Sequence, residues 1–166
     1  MRTILVTLLC SLTLAAAGGP RRAPGFDLPD LKGEFHDLAD YRGKVLVLEF
    51  LKTDCPHCAT FADVLAQLQP RYGDKVAVLA VANINTDSPQ NIYQYMTGHK
   101  LTYPVALDQG QMMYSYLRTP QGANLPHVYV IDANGYIHVD YEYSALTRDV
   151  FEGKALFSDI DRLLKK

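Results

Sequence analysis

Two cysteines in the segment Cys55-Pro56-His57-Cys58 are the residues of this chain whose type and spacing can do chemistry together. Sulfurs one helical turn apart can close a disulfide and reopen it, and so exchange two electrons with another thiol pair. The stretch before them, Val45-Leu46-Val47-Leu48-Glu49-Phe50-Leu51, is short, apolar and rich in Val and Leu, which predicts a buried strand. After them Ala59, Phe61, Ala62, Val64, Leu65 and Leu68 recur at helical spacing, with Asp63, Gln67 and Gln69 between. The dithiol therefore sits where a strand feeds a helix. A helix start presents unpaired N–H groups and a partial positive charge. A thiolate at Cys55 is favoured there, and the thiolate is the nucleophile. Pro56 suits the first helical turn, where a missing N–H costs nothing. His57 adds a donor or cation beside the sulfur. Cys55 reads as the attacking thiol and Cys58 as the resolving one.

Other uses of paired cysteines fit less well. A structural zinc site needs about four ligands, and no second CxxC or HxxxH follows downstream. Haem attachment needs His after the second Cys, and Ala59 stands there. No metal and no cofactor is expected. The net charge of −2 and the lack of basic clusters beyond Arg21-Arg22 and Lys165-Lys166 argue against nucleic acid as a partner.

The 166 residues, 48% of them apolar, suit a single domain. Arg2, the apolar run Ile4 to Leu14, and Ala15-Ala16-Ala17-Gly18 have the layout of an export signal. The expected division is a signal peptide over 1–17, a flexible linker over 18–25 and the domain over 26–166, with an uncleaved anchor as the rival reading of the leader. The run is short for a membrane span. Cys10 lies inside that run, so Cys55 and Cys58 are the cysteines of the mature chain. An exported protein with one CxxC pair has no structural disulfide framework, and the pair reads as catalytic.

The elements that must position the pair follow in order. A small hairpin is expected around Lys32-Gly33, then a turn over Leu38 to Lys44. The helix after the cysteines should reach about Tyr72, with Gly73 as its cap. Val76 to Ala82 reads as a parallel central strand. Ser88-Pro89 opens a helix ending at Gly98. Tyr103 to Leu107 is a short strand, Gln111 to Leu117 a helix, and Thr119 to Asn124 a loop. Val128 to Ile131 and Tyr136 to Tyr141 form a hairpin about Asp132-Ala133-Asn134-Gly135. Thr147 should cap a last helix reaching Leu164, broken at Gly153. The order implies an α/β sandwich with a mixed sheet.

Over Phe26 to Leu164 the chain resembles the thioredoxin superfamily, and within it the exported TlpA/ResA-like thiol-disulfide oxidoreductases, close to the redoxin (AhpC/TSA-like) group. The features that carry the resemblance are Asp40-Tyr41-Arg42-Gly43-Lys44 before the apolar strand, Cys55-Pro56-His57-Cys58, the region from Asn83 through Pro104 and Asp108, Leu125-Pro126 before a strand, and Val130-Ile131-Asp132-Ala133-Asn134-Gly135. The resemblance implies a thioredoxin-like three-layer sandwich, with a mixed central sheet, an N-terminal hairpin and a central strand-helix insertion. It implies that Pro126 is a cis-proline facing the dithiol and that the backbone of Leu125 pairs with a substrate polypeptide. His127, where the family often has a small polar residue, either adds positive charge at the site or faces solvent. Glu49 is a lone acid in a buried strand, where a carboxyl should lose its proton only at raised pH. The family places a buried acid below the second cysteine, so Glu49 is expected to take the proton of Cys58.

The resemblance implies an enzyme, a protein-disulfide oxidoreductase of the periplasm or another extracytoplasmic compartment. Its partners would be cysteine-containing exported proteins and a membrane thiol-disulfide electron donor or acceptor, and it would act as a monomer. Reductase is the expected direction, although Pro-His between the cysteines resembles the oxidising DsbA pair. Asp54 departs from the family, which typically has Trp there, and opposes a thiolate at Cys55. A thiol peroxidase needs Thr three residues before the reactive Cys, where Lys52 stands, with Thr53 one position off. A copper-binding module of this fold typically uses CxxxC. His36, His99 and His138 read as surface residues, and Tyr141 and Tyr143 as strand packing.

Overall fold

The computed structural model describes residues 20–118 and 123–165. The expected leader, and residues 119–122 of the loop before Asn124, lie outside the described residues. No helix among the described residues is long and apolar enough to cross a membrane.

The strands are β1 (Arg21–Arg22), β2 (Asp27–Pro29), β3 (Phe35–Asp37), β4 (Val45–Leu51), β5 (Val76–Asn83), β6 (Val105–Asp108), β7 (His127–Ile131) and β8 (Tyr136–Glu142). The helices are α1 (Pro56–Leu65), α2 (Leu68–Tyr72), α3 (Pro89–Gly98), α4 (Gln111–Leu117), α5 (Arg148–Phe151) and α6 (Lys154–Leu164). Every residue of β4 is buried, as its apolar run predicts. Each fully buried Val, Leu or Phe stabilises by about 1.5–3 kcal/mol, so the six apolar residues of this strand outweigh the cost of burying one carboxyl at Glu49.

The main sheet has the order β1-β8-β7-β4-β5-β6. β4, β5 and β6 run parallel, and β7 returns antiparallel on the other side of β4. Because side chains alternate across a strand, β4 feeds two cores. Val45, Val47 and Leu51 pack with α1, α3, α5 and α6, whereas Leu46, Leu48 and Phe50 pack with α4, Phe26 and Leu38. The result is a three-layer, thioredoxin-like sandwich with a mixed sheet. The region from Asn83 to Asp108 supplies α3 and β6, and β6 extends the parallel half of the sheet. The β2–β3 hairpin docks on β6 through an Asp30–Ala106 bridge.

Several local expectations need correction. The helix after the dithiol breaks at Ala66-Gln67. Pro70 has no N–H for the carbonyl of Ala66 and its ring crowds that carbonyl, so the helix cannot run through. Residues 21–24 are not a free linker: Arg21 and Arg22 pair with Ile137 and Tyr136, Ala23 donates to the Gly135 carbonyl at 2.9 Å, and Tyr116 donates to the Pro24 carbonyl at 2.7 Å. The Thr147 hydroxyl does not cap α5 but donates to the Glu142 carbonyl at 2.6 Å. His36 and His138 are half-buried rather than superficial, against Asp30 at 3.4 Å and Asp132 at 2.7 Å.

Two glycines are required by geometry. Gly153 separates α5 from α6 at φ +92°, where a Cβ would meet Val64 of α1 at 3.1 Å. Gly135 takes φ +81° in the β7–β8 turn, where a Cβ would meet the Arg42 guanidinium at 3.2 Å. Arg42 donates to the Asn134 carbonyl, and Gly43 N–H to the Ala133 carbonyl at 3.0 Å. The lead-in to β4 and the β7–β8 turn thus hold each other.

Candidate active site

The dithiol stands at the C-terminal end of β4. Cys55 is in extended conformation, with φ −93° and ψ 111°, and forms the N-cap of α1. Its N–H donates to the Lys52 carbonyl at 3.2 Å, and its Sγ accepts the Cys58 N–H at 3.2 Å. Pro56 takes the first helical position. The sulfur of Cys55 thus occupies the place where a capping oxygen normally meets an unpaired helix N–H. An anionic sulfur there accepts the same bond more strongly.

Leu125–Pro126 closes the site from the other side of β4, and the bond between them is cis. The Cys55 thiol donates to the Leu125 carbonyl at 3.5 Å. The Pro126 carbonyl accepts the Tyr143 N–H at 3.1 Å. Tyr143 in turn stacks on His57, with ring centroids 4.0 Å apart and planes 20° apart, and its own edge rests on Phe151. Tyr143 is therefore part of the rim of the site, not strand packing. Its recruitment was not legible in the sequence, because it depends on the chain turning back beside Pro126 after β8.

The second sulfur lies in a different medium. Cys58 and Glu49 are both fully buried, and both belong to the face of the sheet covered by α1. Burial pushes the Glu49 carboxyl up to about 8. Burial, then the charge of Glu49, then the hydrogen bond with Cys55 push the Cys58 thiol well above its ordinary value. Cys58 thus keeps its proton unless a neighbour takes it, and Glu49 is the acid beside it.

His127 is not brought to the dithiol. It begins β7 with its ring on the opposite face from Val128, stacked on Tyr129 at 4.8 Å and hydrogen-bonded through Nε2 to Asp140 at 2.6 Å. Only its backbone follows Pro126. Asp54 is exposed and pairs with Lys52 at 3.0 Å, so its negative charge beside Cys55 is shared with a cation.

Sequence reasoning missed Asp87. It is buried, and its Oδ1 accepts both the Thr53 hydroxyl and the Thr53 N–H, the latter at 3.2 Å. It fastens the turn before Cys55 to the start of α3, where Ser88 caps by accepting the Asn91 N–H at 3.1 Å. The local signal was an acid directly before a Ser-Pro helix start, but nothing local links it to a turn 34 residues earlier.

Comparison with known proteins agrees with this geometry. The model of the AhpC/TSA family matches residues 20–139. The thiol-disulfide oxidoreductase ResA of Geobacillus kaustophilus (strain HTA426) is 32% identical over 166 residues, covering 98% of this chain and 84% of that protein. The ResA of Geobacillus thermodenitrificans (strain NG80-2) is 35% identical over 138 residues, covering 81% and 74%. Among solved structures, a thiol:disulfide interchange protein of the thioredoxin family from Chlorobium tepidum TLS superposes with a TM-score of 0.69 at 21% identity, covering 85% of this chain and 98% of that one. A secreted disulfide oxidoreductase of Mycobacterium tuberculosis superposes with a TM-score of 0.63 at 22% identity, covering 80% and 95%. The chain belongs to the AhpC/TSA family, on its ResA-like, thioredoxin-fold branch.

Proposed function

We propose that this protein is a thiol-disulfide oxidoreductase that exchanges the Cys55–Cys58 dithiol with disulfides in protein substrates, acting as a reductase in an extracytoplasmic compartment. The observation that carries the reading is the asymmetric pair: Cys55 at a helix N-terminus beside the Leu125 carbonyl, and Cys58 buried beside Glu49. The Cys55 thiolate attacks one sulfur of a substrate disulfide. A mixed disulfide forms and the other substrate sulfur leaves as a thiolate. Cys58 then gives its proton to Glu49 and attacks the Cys55 sulfur. The Cys55–Cys58 disulfide closes and the second substrate sulfur leaves, so the substrate gains the two electrons that the pair loses. The Leu125 backbone lies beside Cys55, where it would pair with the substrate chain during the mixed disulfide, with Pro126 shaping that edge.

The reducing direction rests on charge. A disulfide is oxidising when its reduced form is stabilised as a thiolate. Burial keeps the Cys58 thiol protonated, and Asp54 places negative charge beside Cys55. Both favour the disulfide over an ionised dithiol. The extracytoplasmic reading rests on the leader-like residues 1–17, which would direct export. Partners are then exported cysteine-containing proteins and a thiol-disulfide donor at the membrane that restores the dithiol.

Equilibration of the pair with dithiothreitol buffers tests the direction. A potential near −270 mV, the thioredoxin range of about that value, supports a reductase. A value near about −120 mV makes it an oxidant, with His57 outweighing Asp54. Failure to form the disulfide removes the oxidoreductase reading.

A further inference from the structure

Four buried side-chain oxygens on the α1 face of the sheet have no hydrogen-bond partner among the described residues: Glu49 Oε1 and Oε2, Tyr95 Oη and Tyr103 Oη. Glu49 is fully buried, and Tyr95 and Tyr103 are 5% and 7% exposed. Buried polar atoms without partners are rare, because each costs about 1–3 kcal/mol. Four on one face, among the same packed residues, point to one shared cause.

Register places Glu49 on that face. Glu49 of β4 lies beside Ala80 of β5, and Ala80 beside Val105 of β6. Alanine next to Glu49 leaves room above the sheet that a larger side chain would fill. Tyr103, from the segment before β6, and Tyr95 of α3 are buried in the same core cluster as Ala80 and Val105. After burial, the charge of Glu49 is the largest influence on each phenol and pushes both well above their ordinary value, while Tyr103 also feels Tyr95. The other ionisable groups beside the phenols are Cys58 and Asp63 of α1, Cys55 at its N-cap, and His99, whose ring lies 4.6 Å from that of Tyr95. β7 contributes Val128 opposite Glu49. Tyr103 also lines clefts on the surface, one with Met96 and Leu101 and another with Tyr41 and Leu65, so the space ends close to solvent.

We propose that Glu49, Tyr95 and Tyr103 enclose a polar chamber behind Cys58 that binds water, and that the two phenols, as positioning residues, donate through that water to the Glu49 carboxylate. Water supplies the two to four partners that such a cluster needs. The phenols remain neutral donors, so they stabilise the carboxylate and not its protonated form. Their effect is to let Glu49 take the Cys58 proton near neutral pH, where a carboxyl with no donors would already hold one. The inference rests on the reading of Glu49 as the proton acceptor for Cys58.

The test uses reduced full-length protein with 13C-labelled glutamate, and follows the Glu49 carboxyl resonance against pH in the parent, Y95F, Y103F and Y95F/Y103F. Phenylalanine keeps the packing and removes only the donors. The expected result is a Glu49 midpoint that rises by about one pH unit or more in the double variant, with a smaller rise in each single one. The pH profile for closure of the mixed disulfide should move by the same amount. A midpoint within about 0.2 units of the parent in the double variant, or the whole shift confined to one single variant, overturns the shared chamber. E49Q separates the two levels. If E49Q closes the mixed disulfide with an unchanged pH profile, Glu49 is not the acceptor and the role of the phenols falls with it. If E49Q loses that profile while the double variant keeps the parental midpoint, the phenols alone are refuted.

Discussion

Cys55 and Cys58 stand one helical turn apart in opposite surroundings. Cys55 is part-exposed, caps α1, touches the Leu125 carbonyl and faces a rim made by His57 stacked on Tyr143. Cys58 is fully buried, with Glu49 behind it and, on the same face, two phenols that have no hydrogen-bond partner among the described residues. The outer sulfur is surrounded by groups that can hold a chain against it; the inner one is surrounded by groups that can hold a proton. The difference follows from the α1 face of β4, where Glu49 replaces an apolar residue between Val47 and Leu51. The lesson is that one motif delivers two unlike thiols because a strand end and a sheet interior meet within four residues.

The comparison breaks most visibly when the sulfurs are exchanged for oxygen. C55S should lower disulfide exchange by more than about 10³-fold, because the attacking group is gone. C58S should still attack but not close, leaving a one-to-one mixed disulfide with substrate that intact-mass measurement detects. Equal behaviour of the two variants would erase the distinction between an attacking and a resolving sulfur.

The buried half is tested next by E49Q. Closure of the mixed disulfide at neutral pH should slow by about 10²-fold, within the range of a lost general base. Stability should respond with a definite sign. Below the ordinary carboxyl value of 4.5, Glu49 is protonated folded and unfolded, so nothing is lost. Above it the unfolded chain ionises, while burial, which by itself would hold the folded carboxyl protonated to about 8, delays the loss in the fold, so stability falls as pH rises through that window. Burial alone would make the fall on the order of 5 kcal/mol, and donors to the carboxylate make it smaller. Urea unfolding at pH 5 and pH 8 should show E49Q losing less stability than the parent as pH rises; parallel behaviour would place the carboxyl in a more solvated setting.

The outer half yields smaller effects. Y143A removes the stack on His57, an aromatic contact of about 1 kcal/mol, and should lower kcat/KM for a protein substrate roughly five-fold. Reduction of a small disulfide, which needs no rim, should hardly change. D54N, at an exposed position already paired with Lys52, should raise the reduction potential by on the order of 10 mV at low salt and by nothing measurable at 1 M salt.

Much of this arrangement was legible in the chain. The apolar run to Leu51 marked the central strand, and Asn134-Gly135 marked the β7–β8 turn, because period and turn chemistry are local properties. Ser88-Pro89 marked the start of α3 for the same reason. The break at Ala66-Gln67 was also local and was overlooked, since Pro70 forbids the bond that would bridge it. His127 misled, because its position after Pro126 says nothing about its face; strand alternation turned the ring toward Tyr129 and Asp140.

By itself the sequence determined the dithiol, the helix that starts on it, the acid buried in the strand before it and the order of strands and helices. These follow from composition and spacing along the chain. Only the tertiary structure decided what faces each sulfur. Asp87 reaches Thr53, Tyr143 reaches His57, and Tyr95 and Tyr103 share a face with Glu49, because the sheet sets β5 and β6 beside β4 and folds the chain after β8 back beside Pro126. Such contacts join residues far apart in sequence, and their geometry is set by strand register and helix packing rather than by any local pattern.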